Sequence, residues 1–362
     1  MSSTSTTELS EKDKELYDRQ IRVWGVEAQM RMQSCFVLVS GLHGVNCEVI
    51  KNLVLAGINV MIQDDRNIEM MDYGSNYFIG MNDVGKNLAS SSLDNIKLLN
   101  NNTRVECEIR PLKNLDDEWF SQFDVILLSD RSTDEESVRI NNICRYRKNI
   151  CFFWSGTFAL EGWYICDFGN DFKYKGDDSN SNNEKKTPHK NLDNEGNTSQ
   201  SDDVMLLSDG RNTERASSEK IMSFPSLTDI LGTPWNLLQT NQRRKSTSMP
   251  TKTYIQSRIL AEYKQKKNGM PISEDDTEEF VRYSRKRLHE NGLDESFLDR
   301  SKLDALCQGP NACLIVISSV LGGYLTQEIQ KAVAHIGEPH FNVFEFTGDD
   351  QIGRCFKAGV QR

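Results

Sequence analysis

The chain has 362 residues, 37% of them hydrophobic and 27% charged, with a formal net charge of −10. That length holds two or three average domains or one large one and a full core without disulfide or metal staples, and the acidic balance argues against a general nucleic-acid binder. Nine scattered cysteines with no C-x-x-C pair suggest neither a zinc knuckle nor a disulfide framework, so reduced thiols in a cytosolic or nuclear protein are expected.

The opening residues, 1–11, are Ser/Thr-rich and polar, and read as a disordered tail rather than a secretory signal. A helical pattern follows over 8–33, with Leu16, Ile21, Val23, Trp24 and Met30 available to pack and Gly25 interrupting it. The chain then alternates: strand 35–40, helix 45–56, strand 58–63, helix 83–99, strands 104–110 and 124–128, helix 134–148, strand 150–154. This alternation predicts an α/β, Rossmann-like fold over 12–170, a mostly parallel sheet with helices on both faces. The segments 157–164 and 164–168 extend the sheet. From 171 to 220 the composition turns to Asn, Ser, Asp, Glu and Lys, too polar to offset its ordering entropy, which predicts a disordered low-complexity insertion.

Apolar residues return at Ile221 to Pro225 and at Pro234-Trp235, and 221–306 reads as a linker followed by a small helical insertion with helices at 254–267, 274–290 and 295–306. The last part, 307–362, returns to the sheet through a long apolar helix over 311–336 and a strand over 341–346. The apolar run at 313–325 contains serines and glycines and is too short to span a bilayer, so no membrane association is expected. Gly322-Gly323 lies inside that helix, where each glycine costs roughly 1 kcal/mol relative to alanine; close backbone packing is the expected compensation.

Two motifs carry chemistry. Strand 35–40 runs into Gly41-Leu42-His43-Gly44-Val45-Asn46, the outline of a G-x-G-x-x-G phosphate turn with His43 and Asn46 at the second and third glycines. Asp64 ends the second strand, where dinucleotide folds hold a ribose hydroxyl. A plain structural turn explains Gly41 and Gly44 equally well, a side chain at 43 obstructs phosphate approach and one at 46 hinders helix-on-strand packing, so Gly41, Gly44 and Asp64 read as a degenerate, vestigial pocket. The second motif is Tyr17-Asp18-Arg19-Gln20-Ile21-Arg22-Val23-Trp24-Gly25. Taken alone, Arg19 and Arg22 fit a solvated helix start capped by Asp18.

The block from Tyr17 to Gly25 resembles the opening of the ubiquitin-like-modifier activating enzymes, and within them the small subunits of the SUMO-activating type. Further blocks agree in order: Lys51 to Gly57, Val84-Gly85-Lys86-Asn87 with Leu99-Asn100, Phe120 to Asp124, and Gly322 to Ala332 with Pro339, Asn342 and Phe344 behind it. The resemblance covers roughly 12–170 and 250–357. It implies a ThiF-like adenylation fold and a half-enzyme: one subunit adenylates the modifier's C-terminus with ATP and magnesium, while the degenerate half sends the arginine of its Tyr-Asp-Arg-Gln segment across the dimer. Arg19 occupies that place, and a guanidinium suits pyrophosphate because it is permanently charged and donates parallel hydrogen bonds.

The same resemblance implies a large catalytic subunit as heterodimer partner, SUMO reached through the complex, ATP and magnesium held by the partner, no cofactor bound stably here, no metal site, and residence in nucleus and cytoplasm. It puts 254–306 at a reduced remnant of the catalytic-cysteine region. Ser75-Asn76 matches the adenylating pattern, but Tyr77 to Gly80 supplies no Arg-Gln, and the surroundings of Asp130 do not reproduce the metal-binding segment. Cys35, Cys151 and Cys313 lie in apolar runs and read as core rather than thioester nucleophiles. Three other readings stay open: a self-sufficient homodimeric adenylyltransferase of the sulfur-carrier type, the small subunit of a neddylation-activating enzyme, against which length argues, and a nicotinamide-dependent oxidoreductase.

Overall fold

The N-terminal helical stretch is broken twice in the computed structural model, which describes residues 9–147, 150–176, 218–238, 252–267, 272–308 and 314–360. Helices α1 (Glu11–Leu16), α2 (Asp18–Trp24) and α3 (Val26–Ser34) are separated at Tyr17 and at Gly25, whose φ of 86° suits glycine. Then come β1 (Phe36–Ser40), α4 (Gly44–Leu55), β2 (Asn59–Gln63), α5 (Leu88–Lys97), β3 (Val105–Glu108), α6 (Asp117–Phe120), β4 (Val125–Ser129), α7 (Asp134–Arg147) and β5 (Cys151–Phe158). β6 (Glu161–Asp167) turns straight back along β5. β7 (Phe172–Lys175), β8 (Glu219–Met222), α8 (Leu227–Leu231), α9 (Lys252–Lys266), α10 (Thr277–Glu290), α11 (Arg300–Gln308), α12 (Ile315–Ala334), β9 (Val343–Thr347) and β10 (Ile352–Phe356) complete the order.

The main sheet has eight strands in the order β10-β9-β6-β5-β4-β1-β2-β3. Strands β3 to β5 run parallel, and β6, β9 and β10 join antiparallel. β1 and β4 are buried along their whole length, as apolar strands covered on both faces must be. One core layer lies under α4 and α12, the other under α7, α9 and α10. The expected Rossmann-like architecture is the one observed.

Gly322 meets its expectation. A Cβ there would stand 2.6 Å from the Glu48 Cβ and 3.4 Å from the Val45 carbonyl oxygen, so the glycine lets α12 lie directly on α4, whereas Gly323 faces open space.

Some boundaries differ. The helix expected from 83 starts at Leu88, because Gly85 takes φ 87° and Asn87 caps the helix by accepting from the Ser90 N–H. Order extends past 170: Phe172 and Tyr174 alternate inward onto Phe168 and Phe224, and β7 pairs with β8. The rest of the expected disordered insertion, 177–217, lies outside the described residues, as do 1–8 of the expected tail. Strand β10 was not foreseen.

Candidate functional site

The turn after β1 sits where β1, β2 and β4 end, and its Gly41 and Leu42 N–H groups and the Asn46 amide are bonded within the chain. Gly41 has φ 85°, and a Cβ on it would stand 2.1 Å from the Ser129 Oγ. Packing against β4 therefore demands this glycine whether or not a phosphate ever approaches. Gly44 opens α4. Asn46 is buried; its Nδ2 donates to the carbonyl oxygens of Ser40 and Gly41, both at 2.9 Å, and its Oδ1 accepts from the Ser155 Oγ at 3.2 Å. The residue at the third glycine position thus staples the turn shut.

Asp64 is 3% exposed. Its Oδ2 accepts from the Leu42 N–H at 2.9 Å, and Arg66 donates to it through the backbone N–H at 3.1 Å and through Nη2 at 3.2 Å. The Arg66 guanidinium continues to Asp72, 3.5 Å away, and Arg131 stands 3.8 Å from the same carboxylate oxygen. Burial disfavours the Arg66 charge, but Asp64 and Asp72 more than offset it and hold the guanidinium above its ordinary range. Asn76 donates to the Leu42 carbonyl at 3.2 Å, and the Tyr77 hydroxyl donates to the Cys47 carbonyl at 2.9 Å. At the mouth the His43 Nε2 lies 3.0 Å from the Asp130 Oδ1. Burial would raise the Asp130 carboxyl, yet the bond and charge of His43, aided by Lys264 and Arg131, bring it below the usual carboxylate range.

Groups that would meet a nucleotide are engaged within the chain. The acid placed for a ribose is held by Arg66, the Leu42 N–H is taken, and a side chain fills the third glycine position. Among the described residues no group of three or more His, Cys, Asp or Glu is placed to hold a metal. Cys35 and Cys151 are buried with their thiols pushed up, chiefly by burial, which makes them poor nucleophiles. Cys313 lies outside the described residues.

Arg19 stands in the opposite condition. It is exposed on α2, with no ion pair among the described residues. Its neighbour Arg22 is engaged: Nη2 lies 2.9 Å from the Asp18 Oδ2. Asp18 is not the cap; Tyr17 takes that position without a side-chain cap bond, and Asp18 is the acid of the first turn. Leu16, Val23 and Val26 lie exposed beside Arg19, Val23 as much as 74%. Arg66, Asp72 and Arg131 escaped the reading of the sequence; only the Asp64-Asp65-Arg66 run signalled an arginine beside the ribose position.

The chain is 29% identical over 358 residues to SUMO-activating enzyme subunit 1 of Xenopus tropicalis, covering 95% of each chain. Against the Homo sapiens protein of the same name it is 29% identical over 353 residues, covering 94% of this chain and 93% of the other. SUMO-activating enzyme subunit 1A of Arabidopsis thaliana is 29% identical over 361 residues, with 96% and 95% covered. The pattern of the ThiF family matches residues 17–357, and the chain belongs to that family.

Proposed function

We propose that this chain is the non-catalytic but required small subunit of a heterodimeric SUMO-activating enzyme, and that it donates Arg19 to the ATP of its partner. The observation that carries this reading is Arg19, exposed and without an ion pair among the described residues, in a chain whose own Gly41 turn has Asp64 and the Leu42 N–H already engaged. Relatives named SUMO-activating enzyme subunit 1, matched over nearly their whole length, support the assignment.

In this reading the large subunit binds ATP with magnesium, and the SUMO C-terminal carboxylate attacks the α-phosphorus. The bond to pyrophosphate breaks, and negative charge builds on the departing group. Arg19, reaching across the dimer, donates hydrogen bonds to those oxygens and neutralises the charge as it grows. It needs no deprotonation and accepts no proton. The later thioester forms on a cysteine of the partner. We place the complex in nucleus and cytoplasm.

Pyrophosphate exchange tests the assignment. The purified chain should show none with ATP and SUMO, and exchange should appear when the large subunit is added. Activity of this chain alone would instead mark a self-sufficient adenylyltransferase whose copies exchange Arg19.

A further inference from the structure

Three separate sequence blocks meet at the base of the helix that carries Arg19. Tyr17, immediately before α2, is 3% exposed, whereas no residue of α2 itself is buried. Its ring fills the space left by Gly57, where φ is 84° and a Cβ would come within 2.8 Å of the ring carbon and of the hydroxyl. Its hydroxyl accepts from the Asn100 Nδ2 at 2.9 Å, and the same nitrogen donates to the Val54 carbonyl at 2.9 Å. The Asn100 Oδ1 accepts the Asn102 N–H at 3.0 Å, which fixes the amide orientation. The Tyr17 carbonyl then accepts the Ile21 N–H at 2.9 Å and starts α2.

We infer that Tyr17, Gly57 and Asn100 form a socket that sets where Arg19 points, and that Tyr17 and Asn100 are positioning residues for the transfer to the partner's ATP. This rests on the role proposed for Arg19. A seven-residue helix broken on both sides has little stability of its own, so its direction comes from its anchors. Tyr17 lies two positions from Arg19, and a long side chain amplifies any tilt at its root. Gly57 belongs to the turn after α4 and Asn100 to the turn after α5, so two loops of the sheet domain grip a single ring.

The test is a double-mutant cycle on pyrophosphate exchange by the reconstituted pair. Tyr17→Phe keeps the ring and removes the hydroxyl; it should slow exchange by about tenfold, a displacement effect on a positioned group. In the Arg19→Ala background the same change should have no further effect, because Tyr17 acts only through Arg19. Asn100→Ala should behave alike. Equal slowing in both backgrounds, or no slowing by Tyr17→Phe beside an active wild type, overturns the inference.

Amide exchange in the full chain reads the socket without the partner. In Tyr17→Phe the amides of 18–24 should lose protection while those of β1 keep theirs; unchanged protection in α2 also overturns the inference. If Arg19→Ala proves fully active, the role of Arg19 fails, while amide protection still judges the anchor.

Discussion

The pocket behind the Gly41 turn and the surface around Arg19 draw on the same kinds of side chain and use them in opposite ways. In the pocket Asp64, Asp72 and Asp130 meet Arg66, Arg131 and His43, each charge answered within the chain. At the surface Arg19 has no such answer among the described residues and sits among exposed apolar side chains. The contrast teaches what buried and exposed charges each demand of the fold. Buried acids need counter-charges, because an unpaired buried carboxylate is costly. An exposed arginine has no such need, so the fold itself sets no demand on Arg19.

The largest expected effect breaks the comparison on the open side. Arg19→Ala in the reconstituted pair should slow adenylation on the order of 10²-fold or more, as removal of a trans arginine does in phosphoryl transfer, with co-elution of the two subunits unchanged. Unaltered single-turnover kinetics would take Arg19 out of the mechanism. On the closed side, Arg66→Ala should destabilise the chain by about 2–3 kcal/mol, read from urea unfolding, because it removes the guanidinium shared by two buried carboxylates. Its side chain is 27% exposed, which keeps the figure below that of a fully enclosed pair. Should the variant instead gain nucleotide binding by calorimetry, the pocket is merely plugged rather than lost.

The next prediction probes what holds the closed side rigid. α4 begins at the turn, and Gly322 of α12 rests on its Val45 and Glu48. Gly322→Ala should cost about 1–3 kcal/mol through overpacking. Gly323→Ala should gain up to about 1 kcal/mol from helix propensity, since nothing faces it. Equal effects at the two positions would show that the helices do not meet there.

A smaller effect depends on pH. The Asp130 carboxyl is held below its ordinary range, so the carboxylate contributes stability above the unfolded value, about 4. That contribution is lost as pH falls through the lower folded value. Melting curves of wild type and Asp130→Asn should therefore converge as the pH drops below about 4. A constant gap between them down to the acid limb would mean that the pairing with His43 carries no such energy.

How much of this was legible follows from what a sequence records. Alternation of apolar runs with helical periods exposed β1, α4, β2, β4 and α7, because each element buries its own face. The departure from a G-x-G-x-x-G turn was visible as His43 and Asn46, but the bonds Asn46 makes across the turn were not. Arg66 and Arg131 meet at Asp72 through folding of the 64–87 loop, and no spacing rule predicts such distances. β10 was hidden because among Ile352 to Phe356 only Phe356 is buried; pairing with β9, not apolar pattern, makes it a strand. β7 escaped because its partner β8 lies beyond a long polar segment, and two inward aromatics are too few to read as a strand. The start of α5 was placed early because Met81–Asp83 forms only a single turn before Gly85 bends the chain and Asn87 caps afresh.

The smallest effect sharpens the comparison most, because it sets two arginines of one helix against each other. Arg22 carries the same guanidinium three positions from Arg19, but it pairs with Asp18 across one turn, both side chains at least half exposed. An exposed i, i+4 pair is worth about 0.3–0.5 kcal/mol, so Arg22→Ala should shift thermal unfolding barely beyond error. If pairing within the chain marks a charge as structural and bareness marks one as functional, Arg22→Ala should leave adenylation unchanged beside the large loss from Arg19→Ala. Equal losses would mean that Asp18 yields Arg22 to the partner on assembly and that both guanidiniums serve the nucleotide.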